Sequence, residues 1–361
     1  DVWFESGAVW SWVNGSYKHA HLLIEGSDQH RGWFQSSLLE NSMFVDGSPL
    51  TKSILTHGFV LDKDGKKMSK SAGNVIDPED LLVKYGADVV RYWILTSDFK
   101  TDIKCSDQLV NICSKNVKKL RNTFKWILGN SDYFEQSHVE YDDLFPIDKM
   151  ILDKLSNLVK SVKENTLTFD YPSSVREVFD FCNNDLSAVW FTSVKDSLYC
   201  DAVDSLRRKS VVSTVNVILK TMTALVSPLF PIMAEQVRSY YHTYFEFDET
   251  SLYTNMTKDN TDHVYLYKLK NMIGIEMDSL QKSGEVKSAI DMEVTVKSSI
   301  PSSITQYGLD DLLGISKFNY VHDPLQSEAE ILIVKMEGHK CSRCRKTHSR
   351  DTDLCFRCET V

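Results

Sequence analysis

The sequence predicts three successive architectures. Residues 1 to about 100 read as α/β, residues from about 105 to 250 as a helical bundle, and the remainder as a small α+β segment ending in a metal-binding knuckle. Three observations predict this. Short apolar runs alternate with helical patterns in the first hundred residues, apolar residues then recur at helical spacing with few strand signals, and two Cys-x-x-Cys pairs close the sequence.

In the first segment, residues 21–26 (His-Leu-Leu-Ile-Glu-Gly) read as a short buried strand ending in a turn. Phe34, Leu38 and Met43 stand at helical spacing and predict a helix over 33–44. Residues 53–61 read as a second strand, followed by a Lys/Gly/Ser-rich loop. Asp77 suits an N-cap and Pro78 a first helical turn. Strand, loop and helix in alternation indicate a doubly wound sheet.

The bundle follows. Ile147, Met150, Ile151, Leu155, Leu158 and Val162 share one helix face, and the pattern continues through 175–190. Val211, Val215, Ile218, Leu219, Met222, Leu225 and Val226 form another stripe. Pro228 and Pro231 break and restart the helix. An Asn/Asp/Thr-rich stretch over 250–270 reads as a surface connection, and 270–335 as one helix with strands near 292–296 and 331–334. The expected domains are 1–104, 105–265, 266–336 and 337–361. No internal repeat is evident.

Of 361 residues, 42% are apolar and 25% charged, the balance of an ordinary globular protein. No run of about 18 apolar residues occurs, so no membrane span is expected. The net charge of −9 excludes a surface coated in phosphate-binding cations but allows a local basic patch. Cys105, Cys113, Cys182 and Cys200 are scattered and read as reduced thiols in an intracellular setting. The first residues show neither an initiator Met nor a secretory pattern, so the chain is expected to be part of something longer.

Three strings carry chemistry. The first is Lys67-Met68-Ser69-Lys70-Ser71, flanked by Gly65 and Gly73. Two lysines three apart in a Gly-flanked loop can reach one polyphosphate and neutralise charge building on a leaving pyrophosphate. The glycines allow the loop to close and reopen. The second runs from Glu25 and Gly26 through Asp28, Gln29, His30 and Arg31 to Trp33 at the carboxyl end of a strand, where open α/β sheets bind ligands. A carboxylate there can accept from ribose hydroxyls, and Gly26 lets a ligand approach the backbone. The third is Cys341-x-x-Cys344, ten residues, then Cys355-x-x-Cys358, a pattern that closes a tetrahedral Cys₄ zinc site. His348 is an alternative ligand, and two disulfides are disfavoured by the intracellular reading. Lys340, Arg343, Arg345, Lys346, Arg350 and Arg357 make this knuckle basic, which suits RNA phosphate.

The lysine loop, with His57-Gly58-Phe59-Val60 before it and Asn74-Val75-Ile76-Asp77-Pro78 after it, resembles the signature loop of class I aminoacyl-tRNA synthetases. The Gln29-His30-Arg31-Gly32-Trp33 run resembles the adenylate-binding segment of the isoleucyl family, and Asp1-Val2-Trp3-Phe4-Glu5-Ser6-Gly7 the segment that re-enters the catalytic core after the editing insertion. Glu5 stands where that family usually has Asp. Ser227-Pro228-Leu229-Phe230-Pro231 resembles a turn in its anticodon-binding bundle, and the zinc knuckle resembles the end of the bacterial and organellar type.

The resemblance implies the carboxyl-terminal half of a Rossmann-like catalytic domain, an anticodon-binding bundle, a junction and a zinc knuckle. It implies ATP with Mg²⁺, L-isoleucine and tRNA(Ile) as partners, one structural Zn²⁺, a monomer, and a bacterial cytoplasmic or organellar setting. Lys67 and Lys70 would act on the phosphates. Glu25, Gly26, Asp28 and Gln29 would hold the adenylate beside His57 and Gly58, and Trp3 and Trp33 would wall the isoleucine side-chain pocket. Isoleucyl enzymes are themselves the standing example of that pocket's discrimination against valine. The family's His-x-Gly-His motif is absent; His57-Gly58 and Gly338-His339 are the nearest strings. A valyl-type synthetase and a non-catalytic RNA-binding fragment are the alternatives.

Overall fold

A computed structural model describes residues 2–13, 20–44, 50–131, 139–240, 261–299, 309–326 and 329–359. The chain divides into two units, Asp1–Val117 and Lys118–Val361.

In the first unit, β1 (Ala20–Gly26) and β2 (Thr51–His57) pair in parallel, with Gly26 opposite His57. A second parallel pair joins β3 (Val60–Leu61) to β4 (Ile103–Lys104). The parallel pairing expected of a doubly wound sheet is therefore present, in two separate two-stranded pieces among the described residues. The single strand expected over 53–61 is broken, and Gly58 is the reason. A methyl group there would lie 2.2 Å from the backbone carbon and oxygen of Thr101. The Gly58 N–H donates to Phe99 O at 2.9 Å and the Phe59 N–H to Asp102 Oδ1 at 2.7 Å, so the chain leaves β1 and joins β4.

Helices α1 (Val2–Gly7), α2 (Trp10–Val13) and α3 (Trp33–Phe44) accompany the first pair. The stripe expected on α3 is corrected: Phe34 is buried, but Leu38 and Met43 are exposed. The inward face is Phe34, Ser37, Glu40 and Asn41, mostly polar, and Gly7 of α1 fits against Glu40. Next come α4 (Pro78–Tyr85) and α5 (Ala87–Leu95); Asp77 caps α4 by accepting from the Glu79 N–H at 2.9 Å. Helix α6 (Asp107–Asn130) begins just after the expected boundary at 104/105 and spans the division between the units in sequence.

The second unit is helical through α7 (Pro146–Leu167), α8 (Tyr171–Asp180), a π-helical segment Phe181–Trp190, α9 (Phe191–Cys200), α10 (Leu206–Val226) and α11 (Pro231–Tyr240). The predicted stripe on α7 is buried throughout, and that on α10 is buried except at Leu225, which is half-buried. Inside the bundle the Asp148 carboxylate accepts from Trp190 Nε1 at 3.0 Å and Ser210 Oγ at 2.7 Å and pairs with Arg207, tying α7 to α10. Such a buried charge is tolerable only when paired and hydrogen-bonded. Helix α10 is long and apolar enough to cross a membrane, yet 72% of its most apolar window is buried inside the protein, as befits a core helix.

Helix α12 (Thr261–Ser283) corrects the connection expected over 250–270: from residue 261 it is helix, the expected boundary at 265 falls inside it, and 250–260 lie outside the described residues. Strands β5 (Met292–Ser298), β6 (Lys317–His322) and β7 (Glu330–Lys335) form a sheet in the order β6-β5-β7, parallel on one side and antiparallel on the other. β6 falls within 270–335, where short strands were expected, and the short helix α13 (Leu309–Leu313) adds to the one helix expected there. The chain then forms the hairpin of β8 (His339–Lys340) and β9 (Thr347–His348) and the turn of helix α14 (Phe356–Glu359).

Candidate active site and metal centre

Register places the ends of β1 and β2 side by side, so both strands deliver their last residues to one edge. That edge is where parallel sheets receive ligands. A methyl group on Gly26 would come within 2.6 Å of Asp28 Oδ1 and 3.8 Å of His57 Cε1, so both side chains converge on this glycine. The His57 Nδ1 lies 2.9 Å from Gly58 O. Gln29 braces the turn: its Nε2 donates to Asp28 Oδ2 at 3.2 Å and its Oε1 accepts from the Trp33 N–H at 3.0 Å. The Trp33 indole donates to Ser6 O at 2.8 Å, and the half-exposed Trp3 ring lies against Gly32, 3.2 Å from where a methyl group would stand. Glu25 is opposite Thr56 in register and half-buried. The expected residues Trp3, Glu25, Gly26, Asp28, Gln29, Trp33, His57 and Gly58 thus gather around one strand edge.

The lysine loop is built rather than slack. Leu61 bridges to Lys67, and the Asp62 N–H donates to Lys66 O at 2.9 Å. The buried Asp62 carboxylate accepts from the N–H groups of Asp64 (2.9 Å) and Lys66 (2.8 Å) and from Asn74 Nδ2 (2.7 Å). These donors, Asn74 first, hold its carboxyl below the usual Asp range. Asn74 Oδ1 in turn accepts from the Ser69 N–H at 3.0 Å, and Ser69 Oγ from the Ala72 N–H at 3.2 Å, opening a tight turn over Lys70–Ala72. Gly65 and Gly73 have φ of +80° and +67°, the left-handed region that glycine enters freely. Lys67 Nζ stands 4.9 Å over the Phe59 ring, and Lys67, Ser69, Lys70 and Ser71 are exposed with Met68 half-buried. Neither ammonium has a carboxylate partner among the described residues, so both charges are free for a polyanion. Sequence reading missed Asp62 and Asp102 and named Asn74 only within the string that follows the loop; the Asp62-Lys63-Asp64-Gly65 turn was the available signal for the first.

In the second unit the sulfurs of Cys341, Cys344, Cys355 and Cys358 all lie within 4.8 Å of one another. Cys344 and Cys355 are 3.7 Å apart, against about 3.8 Å for two thiolates on a tetrahedral zinc with bonds of about 2.3 Å. Burial raises the Cys341 thiol, but backbone N–H donors of Cys344, Cys355 and Arg343 outweigh it and bring it to about 6. Burial instead pushes Cys344 up to about 12 and raises Cys358. Four crowded sulfurs cannot all ionise alone, and a soft divalent cation removes that conflict. The donor set fits zinc. His348 is not in the group; its ring is buried, with no hydrogen-bond partner for either nitrogen among the described residues.

The basic knuckle needs correction. Lys346 is buried against Asp311 (2.6 Å) and Asp310 (2.9 Å), and Arg357 pairs with Asp201 and Asp311 (3.1 Å) and donates to Ser197 Oγ at 3.1 Å. Burial opposes the charge on Lys346 and Arg357, yet these carboxylates outweigh it and raise both. Lys340 pairs with Asp291 and Arg350 with Glu359. Much of the positive charge thus fastens the knuckle to its own unit, leaving Arg345 exposed for a partner.

Comparison with known proteins gives the setting. The family described as tRNA synthetases class I (I, L, M and V) matches residues 1–106, and the anticodon-binding domain of tRNA ligase matches 148–296. An isoleucine–tRNA ligase of Campylobacter hominis is 32% identical over 386 residues, covering 100% of this chain and 41% of the relative. One of Sulfurovum sp. is 33% identical over 384 residues with the same coverage, and one of Thermotoga neapolitana 32% over 368 residues, 96% of this chain and 40% of the relative. The chain therefore spans about two fifths of the length of these curated relatives. A ternary LeuRS–tRNA–LeuAMS complex from Agrobacterium radiobacter K84 superposes with a TM-score of 0.54 at 16% identity, over 68% of this chain and 31% of that one, a likeness of fold. The chain thus carries a class I tRNA synthetase domain over 1–106 and an anticodon-binding domain of tRNA ligase over 148–296, and along its whole length it is similar to the isoleucine–tRNA ligases.

Proposed function

We propose that this chain supplies the ATP-clamping and tRNA-binding parts of an isoleucine–tRNA ligase. The observation that carries the proposal is the lysine loop: two ammonium groups without a carboxylate partner among the described residues on a turn pinned by Asp62 and Asn74, in the same unit as a strand edge that ends in Gly26 and His57. The isoleucine carboxylate attacks the α-phosphorus of ATP and pyrophosphate leaves; a hydroxyl of the tRNA terminal ribose then attacks the acyl carbon and displaces AMP. No side chain need act as a nucleophile. Lys67 and Lys70 neutralise charge growing on the phosphates. Glu25 and Asp28 accept from ribose hydroxyls, Gln29 fixes Asp28, and Gly26 lets the ligand approach the backbone, while Gly58 admits the close approach of Thr101. Trp3 and Trp33 give apolar walls suited to a branched alkyl side chain. Mg²⁺ arrives with ATP and shields its phosphates.

Cys341, Cys344, Cys355 and Cys358 hold one structural Zn²⁺ in this reading, and tRNA(Ile) meets the helical bundle and the knuckle. In this reading the full-length enzyme is a monomer. The test is amino-acid-dependent ATP–pyrophosphate exchange on the protein that carries this chain. Exchange with isoleucine far above that with valine, leucine or methionine is expected. Equal or greater exchange with valine would move the assignment to a valyl-type enzyme, and none with any amino acid would leave an RNA-binding protein.

A further inference from the structure

A fifth cysteine stands beside the four of the knuckle. Cys200, the last residue of α9, is buried in one cluster with Cys341, Cys344 and Cys358. Its two neighbours are both gripped from the knuckle. Arg343, inside the first Cys-x-x-Cys, donates from Nη2 to Tyr199 O at 3.0 Å. Arg357, inside the second, makes a two-pronged pair with the Asp201 carboxylate. Each half of the metal centre thus holds one flank of Cys200, fixing a sulfur of the helical bundle against the four sulfurs. A cysteine needed only to fill apolar space would not call for either contact.

We propose that Cys200 is a reserve ligand of the metal centre, able to take the place of Cys358 on the ion. In the exchange, the bond from the ion to the Cys358 sulfur would be replaced by one to the Cys200 sulfur, and the Cys200 proton would pass to the released Cys358 thiolate. No oxidant or reductant takes part. The reserve is selective: the Asp201–Arg357 pair joins the chain neighbours of Cys200 and Cys358, which share one buried cluster, whereas Cys355 is only partly buried and packs at its margin. A lost Cys358 is replaceable and a lost Cys355 is not.

The proposal rests on reading the four knuckle cysteines as a metal centre, and the test separates the two ideas. The whole chain is stripped of metal, kept reduced and titrated with Co²⁺, whose sulfur-to-metal absorption grows with the number of bound thiolates. Wild type and C200S should each take one ion with four thiolates. C358S should also show four, because Cys200 completes the set, with affinity reduced by about ten- to a hundredfold. C355S and C200S/C358S should show no more than three and bind far more weakly. Helical circular dichroism of each variant reports whether the bundle is intact. No ion on the wild type defeats the metal reading. Identical spectra for C358S and C200S/C358S defeat the reserve-ligand proposal. Should C358S not fold, Zn²⁺ retention is compared after Cys358 of the folded wild type is alkylated; loss of zinc there, as complete as in alkylated C200S, defeats it equally.

Discussion

Lys70 carries its charge on a turn held by groups with nothing to offer ATP, and this separates chemistry from folding. Lys70→Ala should lower isoleucine-dependent pyrophosphate exchange by roughly 10²–10³-fold while thermal stability stays near wild type, because the ammonium has no partner to lose. Near-normal exchange would remove it from the phosphates. Asn74 shows the reverse. Its amide joins Asp62 to Ser69, so Asn74→Ala should slacken the loop, raise the KM for ATP and let the Asp62 carboxyl titrate upward. The sign is fixed: a carboxyl held below its unfolded value of 3.8 contributes stability at neutral pH and loses it as pH falls through the folded value. The variant should therefore show less of the acid-side loss below about pH 4, as read by denaturant melts at several pH values. At this scale the two lysines and the flanking glycines were legible because residue type and spacing carry their chemistry. Asp62 and Asn74 were not, since their importance depends on which backbone N–H groups the closed loop turns inward.

Elements differ in how far they announce themselves. The stripes of α7 and α10 were legible because a period of 3.6 places them on one buried face. The outcome on α3 differs because Ser37, Glu40 and Asn41 share the inward face with Phe34, and no hydrophobic pattern marks a polar interior. The break after His57 was illegible for another reason: it depends on Thr101, 43 residues beyond Gly58, a contact that no local window contains. Gly58→Ala should cost about 1–3 kcal/mol by overpacking, visible as a lowered melting temperature. Cys355→Ser should release the metal and loosen the knuckle, because so short a segment buries little without it; full zinc content by metal analysis would count against the site. Asp311→Asn removes the carboxylate shared by Lys346 and Arg357 and should destabilise the second unit by roughly 3–5 kcal/mol.

Over the whole molecule, the net charge of −9 means that RNA is not drawn in by the overall field. Binding must come from local cations, and the knuckle has already committed most of its own to internal carboxylates. Arg345→Gln should weaken tRNA binding and flatten its salt dependence by about one unit of slope; an unchanged slope would take Arg345 off the phosphate backbone. The Cys-x-x-Cys spacing made the four-cysteine cluster legible but gave no hint of the way Lys346, Arg357, Asp201 and Asp311 meet in the fold.

That separation sets a timetable. Asp201 meets Arg357 only after 156 further residues have been added, roughly 8 to 30 s at ordinary rates of synthesis. Through that interval the end of α9 holds Ser197, Cys200 and Asp201 without the groups that will cover them. The nascent bundle is thus left with an open acidic end until α13 and the knuckle have been made. A ribosome stalled between α11 and the knuckle should display that end to proteases and thiol reagents that the finished chain excludes.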